Sequence, residues 1–209
     1  MWDRTDNEIH ATGIKNIPEE RQIELIPGTP VPFYSTFRVD DGVLVKINLN
    51  RSDANPDDVI DFPNSVKEVR KLACHELKCQ AGFKTNPECK KIGYGAFMGS
   101  EISYFETSAE EIGRNAFSTC SNLYKVVLTG NIKEIPKQCF AFCDSLTIVK
   151  LPASVEVIAE DAFEDCPNHM VISSESEAVK KFIVAHDVKQ NNWAPQWEEQ
   201  DHRTDEVIF

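Results

Sequence analysis

The sequence predicts a β-rich α+β solenoid built from units of about 23 residues. Three observations predict it. The pattern Ile-x4-Phe-x2-Cys recurs as IGRNAFSTC (112–120), IPKQCFAFC (135–143) and IAEDAFEDC (158–166), at a step of 23 residues twice running. Between those blocks a strand-like pattern, Leu-x2-Val-x-Leu, appears as LYKVVL (123–128) and LTIVKL (146–151), and turn-forming residues follow it as TGN (129–131) and PAS (152–154). Self-similarity at a short fixed period means stacked units that share one continuous core, because a single unit of this size cannot bury its own apolar face.

Each element can be justified in chain order. Residues 1–61 are expected to form an extended segment and a β-hairpin cap. A short strand is possible at 23–26, and IPGTPVPF (26–33), with three prolines, reads as an extended linker. In TFRVDDGVLVKI (36–47) the Asp41-Gly42 pair is a hairpin turn signal, because Gly tolerates the positive φ that a tight hairpin needs. The repeats run over 62–175. FPNSVKEV (62–69) aligns with LPASVEVI (151–158), and VRKLACHEL (69–77) reads as an eroded copy with Cys74 at the Phe position and Leu77 at the Cys position. IGYGAFMGS (92–100) fits with Ser100 in place of Cys, but lies only 20 residues before the next copy, so this coil is short. Within a unit the alternation of LYKVVL or LTIVKL gives a strand, and a second apolar step, Ile132 to Ile135 or Val155 to Ile158, gives a shorter one after the turn. A compact helical or irregular turn carrying the Ala/Cys-Phe pair is expected to close the unit. Residues 176–193 are expected as a capping helix, since an open end would expose the core, and 194–209 as an acidic tail.

These units resemble the leucine-rich repeats of the BspA-like cell-surface-antigen type, whose pattern is sLxxIxLPxSVxxIgxxAFxxC. SLTIVKLPASVEVIAEDAFEDC (145–166) and NLYKVVLTGNIKEIPKQCFAFC (122–143) match it, and the resemblance covers residues 62–185, about three fifths of the chain. TFRVDDGVLVKI is similar to the hairpin that often precedes such repeats, and SEAVKKFIVAHDVKQNNW (176–193) to the family's terminal helix. The resemblance implies a right-handed leucine-rich-repeat superhelix with a hairpin cap and a helical cap. It also implies adhesion or recognition at a cell surface.

Composition is that of a globular chain, 41% hydrophobic and 27% charged over 209 residues. With 22 basic residues against 34 acidic, the net charge of −12 argues against duplex nucleic acid or an anionic membrane as partner. No stretch reaches the roughly 20 apolar residues a membrane helix requires, so no membrane insertion is expected. The opening MWDRTDNEIH is polar and acidic, unlike a secretory leader. A cytoplasmic location is expected if the chain is complete, and a surface or secreted one if a leader precedes it. A monomer is expected.

Seven cysteines invite a chemical reading. Cys120, Cys143 and Cys166 fall on successive coils about 4.8 Å apart, inside the disulfide window. Equivalent positions, however, have parallel Cβ vectors that would strain the bond, so a reduced, buried ladder is expected. Cys74, His75, Cys79 and Cys89 offer a zinc set, but CHELKC has no second C-x2-C pair and Cys74 has a core role in the repeat. No metal or cofactor is therefore expected. His10, His75, His169, His186 and His202 lie in separate segments without a nucleophile elbow. Acid pairs such as Glu110-Glu111 and Asp40-Asp41 sit in turns, where acids are commonplace. With no Gly-rich phosphate loop either, no catalytic residue is assigned and the chain is not expected to be an enzyme.

The working surface should then be the stacked sheet. If Leu123, Val126 and Leu128 point inward, Lys125 and Val127 point outward, and the same register places Ile148 and Lys150 outward. Two ladders follow, Tyr104, Lys125, Ile148, Val171 and Lys84, Glu106, Val127, Lys150. The candidate binding residues are Tyr104, Lys125, Val127, Ile148 and Lys150, an apolar and basic face on an acidic chain. Its expected partner is a protein or peptide with acidic and apolar groups. The alternative reading is a cytoplasmic scaffold or regulator with an endogenous partner.

Overall fold

The computed structural model describes residues 8–10, 35–49, 58–186 and 189–190; the expected strand at 23–26, the linker at 26–33 and the tail at 194–209 lie outside them. Strands β1 (Glu8–His10), β2 (Ser35–Asp40) and β3 (Val43–Leu49) pair antiparallel. Asp41 and Gly42 join β2 to β3 with φ of 48° and 77°, both left-handed, as a two-residue hairpin requires.

From β4 (Val59–Asp61) onward the chain coils. Long and short strands alternate: β5 (Glu68–Val69), β6 (Gly82–Lys84), β7 (Lys91–Ile92), β8 (Tyr104–Thr107), β9 (Glu111–Ile112), β10 (Lys125–Leu128), β11 (Glu134–Ile135), β12 (Ile148–Lys150), β13 (Val157–Ile158) and β14 (Val171–Ser173). The longer strands form one parallel wall in the order β14-β12-β10-β8-β6-β4. The shorter ones form a second wall, in which β3 leads through β5 and β7 to β9, and β11 pairs with β13. On the long wall Phe83, Phe105, Val126, Val149 and Ile172 stand in mutual register and are fully buried. Period-two alternation turns their neighbours outward.

The Phe-bearing segment is not helical. It is a chain of tight turns with i to i+3 hydrogen bonds, such as Ala116 N–H to the Gly113 carbonyl and Ser118 N–H to the Asn115 carbonyl. The intervening N–H groups reach the next coil: Asn115, Phe117 and Thr119 donate to the carbonyls of Lys137, Cys139 and Ala141. The two preceding coils repeat all three bonds and the following one repeats two, Phe140 to Ala162 and Phe142 to Glu164, so the turns form a third hydrogen-bonded wall. Its geometry needs positive φ at matched places, held by Leu72, Gly95, Asn115 and Gln138 in one column and by Glu76, Gly99, Thr119, Phe142 and Asp165 in another.

Down the middle runs a spine of rings. Phe97 and Phe117 stack at 5.4 Å, Phe117 and Phe140 at 5.3 Å, and Phe140 and Phe163 at 5.3 Å, all within 12° of parallel. The segment at 69–77, expected as an eroded copy, is a complete coil: Cys74 N–H donates to the Ala96 carbonyl as Phe97 N–H does to Ala116. The missing ring is supplied by Phe62, whose centroid lies 6.4 Å from that of Phe97. Beside the spine the thiols form a ladder without disulfides. Cys120, Cys143 and Cys166 donate to the carbonyls of Phe97, Phe117 and Phe140 at 3.0, 3.1 and 3.1 Å, each satisfying a carbonyl of the preceding coil. Ser100 takes the same place and meets Cys120 at 3.4 Å.

The short coil closes against Gly130. A Cβ there would lie 1.9 Å from the Ala109 carbonyl oxygen, so only glycine allows the next turn to settle on the abbreviated one. At the other end helix α1 (Glu177–Ala185) begins at Ser176, whose hydroxyl accepts from the N–H groups of Ala178 and Val179 and donates to the Val155 carbonyl. Val179, Phe182 and Ile183 cover the last coil. The helix is shorter than the expected 176–193. It ends at His186, whose ring stacks on Phe182 at 4.0 Å, and Lys189–Gln190 returns to the long wall as β15, parallel to β14.

Two outcomes follow. Phe140→Ala, in mid-spine, should cost about 3–5 kcal/mol through lost burial and a cavity, measured by urea denaturation. Burial pushes the Cys120 thiol up to about 12 and the Cys166 thiol up to about 11, against an ordinary value of 9.0. A raised folded pKa gives stability that is whole below about pH 9 and is lost as pH climbs toward 12. The unfolding free energy measured in urea should therefore fall between pH 8 and pH 10.5 by about 1–2 kcal/mol for each deeply buried thiol, and less in Cys120→Ala/Cys143→Ala.

Candidate interaction surface

The outward side chains of the long wall line up as its backbone register dictates. Tyr104 stands opposite Lys125, Lys125 opposite Ile148, and Ile148 opposite Val171. In the second ladder Lys84 faces Glu106, Glu106 faces Val127, and Val127 faces Lys150. The structure thus brings Tyr104, Lys125, Val127, Ile148 and Lys150 onto one face, with Val127 and Ile148 half-buried and Lys150 exposed.

The face differs electrically from the basic surface the sequence suggests. Lys84 Nζ contacts Glu106 Oε1 at 2.8 Å, and the Tyr104 hydroxyl donates to the other oxygen of that carboxylate. Lys125 Nζ lies 5.4 Å from the centroid of the Tyr104 ring, within cation–π range. Asp61 faces Lys84 at the head of the ladder, and Asp61 and Lys150 are likewise engaged. Stacked coils are close enough for side chains of one column to find each other, so Lys84 is answered by a carboxylate of this face and Lys125 rests on its tyrosine ring. What remains is a strip of Tyr104, Val127, Ile148 and Val171, all half-buried.

Two details were beyond reach of the repeat pattern. Tyr124, 40% exposed, stands just before β10 and close enough to Tyr104 to influence its ionisation. It breaks the alternation, so no period marked it. The Tyr104–Glu106–Lys84 cluster joins two coils, and only the register across them reveals it.

The alternative chemical readings meet a plain geometry. Cys74 is buried while the adjacent His75 is exposed, so the two point apart. Among the described residues no group of three or more His, Cys, Asp or Glu side chains is arranged to hold a metal ion. Burial raises the thiols of Cys74, Cys139 and Cys143 well above their ordinary range, the reverse of an activated nucleophile. No described helix is long and apolar enough to cross a membrane.

Comparison with known proteins agrees with this architecture. A family model for the BspA type leucine rich repeat region matches residues 57–170 in 6 copies, just over half of the chain. A leucine rich cell surface protein from Faecalibacterium prausnitzii superposes with a TM-score of 0.57 at 21% identity, over 74% of this chain and 41% of its own. The pneumococcal vaccine antigen PcpA superposes with a TM-score of 0.54 at 18% identity, over 75% of this chain and 50% of its own. The chain therefore spans half or less of the length of these two proteins, and at such identities the likeness is one of fold. No curated protein matches the chain.

The Tyr104 cluster yields a spectroscopic outcome. Burial, together with donation to Glu106, pushes the Tyr104 phenol far above its ordinary value of 10.0. Burial alone would raise Glu106, but bonds from Lys84 and Tyr104 and the charges of Lys84 and Lys125 hold its carboxyl below 4.5. In an alkaline ultraviolet titration one of the four tyrosines should resist ionisation well beyond pH 10, and Glu106→Gln should bring that phenol back toward the ordinary range.

Proposed function

The chain belongs to the BspA type leucine-rich repeat proteins, and from that premise we propose that it binds a protein or peptide partner through the outward face of its long wall. Proteins of this repeat class are typically binding modules rather than catalysts, since stacked repeats build extended faces from one position per coil. The observation that carries the reading is the unbroken ladder of Tyr104, Lys125, Ile148 and Val171 over four neighbouring strands. Aligned, half-buried apolar groups around a tyrosine make a patch of the kind that partners cover. Lys125 and Lys150 at its margins would favour a partner that presents acids beside its apolar groups.

A cell-surface setting, with adhesion as the task, is supported by the company this fold keeps: the Faecalibacterium protein is a cell surface protein and PcpA a vaccine antigen. The second reading, an endogenous partner inside the cell, is favoured by a separate observation. All seven cysteines are free thiols, as reducing compartments maintain them.

The test is a paired pull-down with wild type and Tyr104→Asp/Ile148→Asp, from producing-cell lysate and from a panel of extracellular-matrix proteins. A matrix protein held by wild type and lost by the variant supports adhesion through this face; a lysate partner lost likewise supports the internal scaffold. Lys125→Glu/Lys150→Glu should weaken either complex by about tenfold. Equal capture by all three proteins overturns the assignment to this face.

A further inference from the structure

The corner that follows each short strand carries a second, independent surface. The hydrogen bonds from Leu72 to Tyr94, from Gly95 to Arg114 and from Asn115 to Lys137 fix the residues just before the left-handed position as one column across successive coils. That column reads Lys71, Tyr94, Arg114, Lys137, and ends at Glu160. Its side chains are exposed, Tyr94 by 50%, and Leu72 beside it is 43% exposed. Arg70 adds a further cation at the first coil.

The charge arrangement sets this column apart. On other columns a lysine faces a glutamate one coil on: Lys78 with Glu101 at 2.9 Å, Lys90 with Glu110 at 3.3 Å, Lys91 with Glu111 at 3.3 Å, Lys133 with Glu156 at 2.7 Å. Here Arg114 and Lys137 repeat the same sign on adjacent coils. Among the described residues no carboxylate lies within 4.0 Å of the charged nitrogens of Arg70, Lys71, Arg114 or Lys137. Like charges on stacked turns repel, and on a chain of net charge −12 acids to answer them are plentiful. A column that keeps unanswered cations beside two exposed apolar side chains is arranged for something outside the fold.

We propose that this corner column binds a short acidic peptide segment of a partner protein, its carboxylates on Lys71, Arg114 and Lys137 and an apolar side chain against Leu72 and Tyr94. The cationic run spans about 14 Å over four coils, and Glu160 closes it while Glu111 and Glu134 stand exposed on the strands leading in. A long uniform polyanion would overrun into those acids, whereas a segment with two or three carboxylates fits. The proposal stands apart from the long-wall face, and separate variants tell the two apart.

The probe is a fluorescent peptide of repeated Glu-Glu-Leu, compared by anisotropy with its Gln-Gln-Leu counterpart. Wild type should prefer the acidic peptide, and Arg114→Glu/Lys137→Glu should weaken it by about tenfold or more, a larger loss than Lys125→Glu/Lys150→Glu produces. Tyr94→Ala should weaken both peptides. Lys137→Glu alone relieves the like-charge contact, so its Tm should equal or exceed that of wild type, which also shows that lost binding is not lost folding. Loss of peptide binding in the Lys125/Lys150 variant but not in the Arg114/Lys137 variant overturns the proposal, as does binding of heparin or single-stranded DNA with the acidic peptide ignored.

Discussion

The structure depends on one constraint, that neighbouring coils hold a single backbone register along the long wall and the turn wall. Parallel pairing on the long wall fixes it, the short wall follows it on either side of a break between β9 and β11, and the turn wall repeats it through N–H groups at 115, 117 and 119 that reach carbonyls at 137, 139 and 141. Once that register holds, every side-chain position becomes a column. The rings at 97, 117, 140 and 163 can then stack, and each ladder thiol finds the carbonyl of the preceding coil. The rings and thiols in turn keep water from the backbone hydrogen bonds, so register and core sustain each other.

The same columns write the surface. Where a column alternates in sign, as at Lys91 and Glu111, it is closed to the outside by its own salt bridge. Where it is apolar, as along Tyr104, Val127 and Ile148, or repeats one sign, as at Arg114 and Lys137, it keeps unsatisfied capacity. Exposed ion pairs add little stability, so their main effect is to decide which strips of the molecule remain open to partners.

Much of the fold was legible because its signal is periodic. The Phe and Cys positions recur at a fixed step, and alternation within LYKVVL and LTIVKL gave the outward residues of the long wall and the pairing of Lys125 with Ile148. What was not legible depended on one coil compensating for another. Nothing near Cys74 says that Phe62 fills its ring position, because the two lie on different walls and meet only in the core. The left-handed positions were hidden as well. Glycine marks them at 95 and 99, but Leu72, Thr119 and Phe142 hold the same conformation against their own preference, because the wall around them dictates it. Tyr124 and the Glu106 clamp were missed for the same reason: they belong to contacts between coils, and a pattern read along one coil does not contain them.

The abbreviated coil has a consequence for how such a chain finds its fold. Coils that are nearly alike could pair one step out of place, each mistaken for its neighbour, with little loss in any single contact. The coil between Ser100 and Cys120 is not interchangeable in this way. Its turn is cut short at Ser108–Ala109, and the coil above must bring a residue with no side chain to that spot, which Gly130 does. A shifted stack would put Pro87 or Ala153 over the gap instead, each with a side chain the spot has no room for. Short coil and glycine therefore act as a key and its slot, giving an otherwise repetitive chain one position from which all the others are counted.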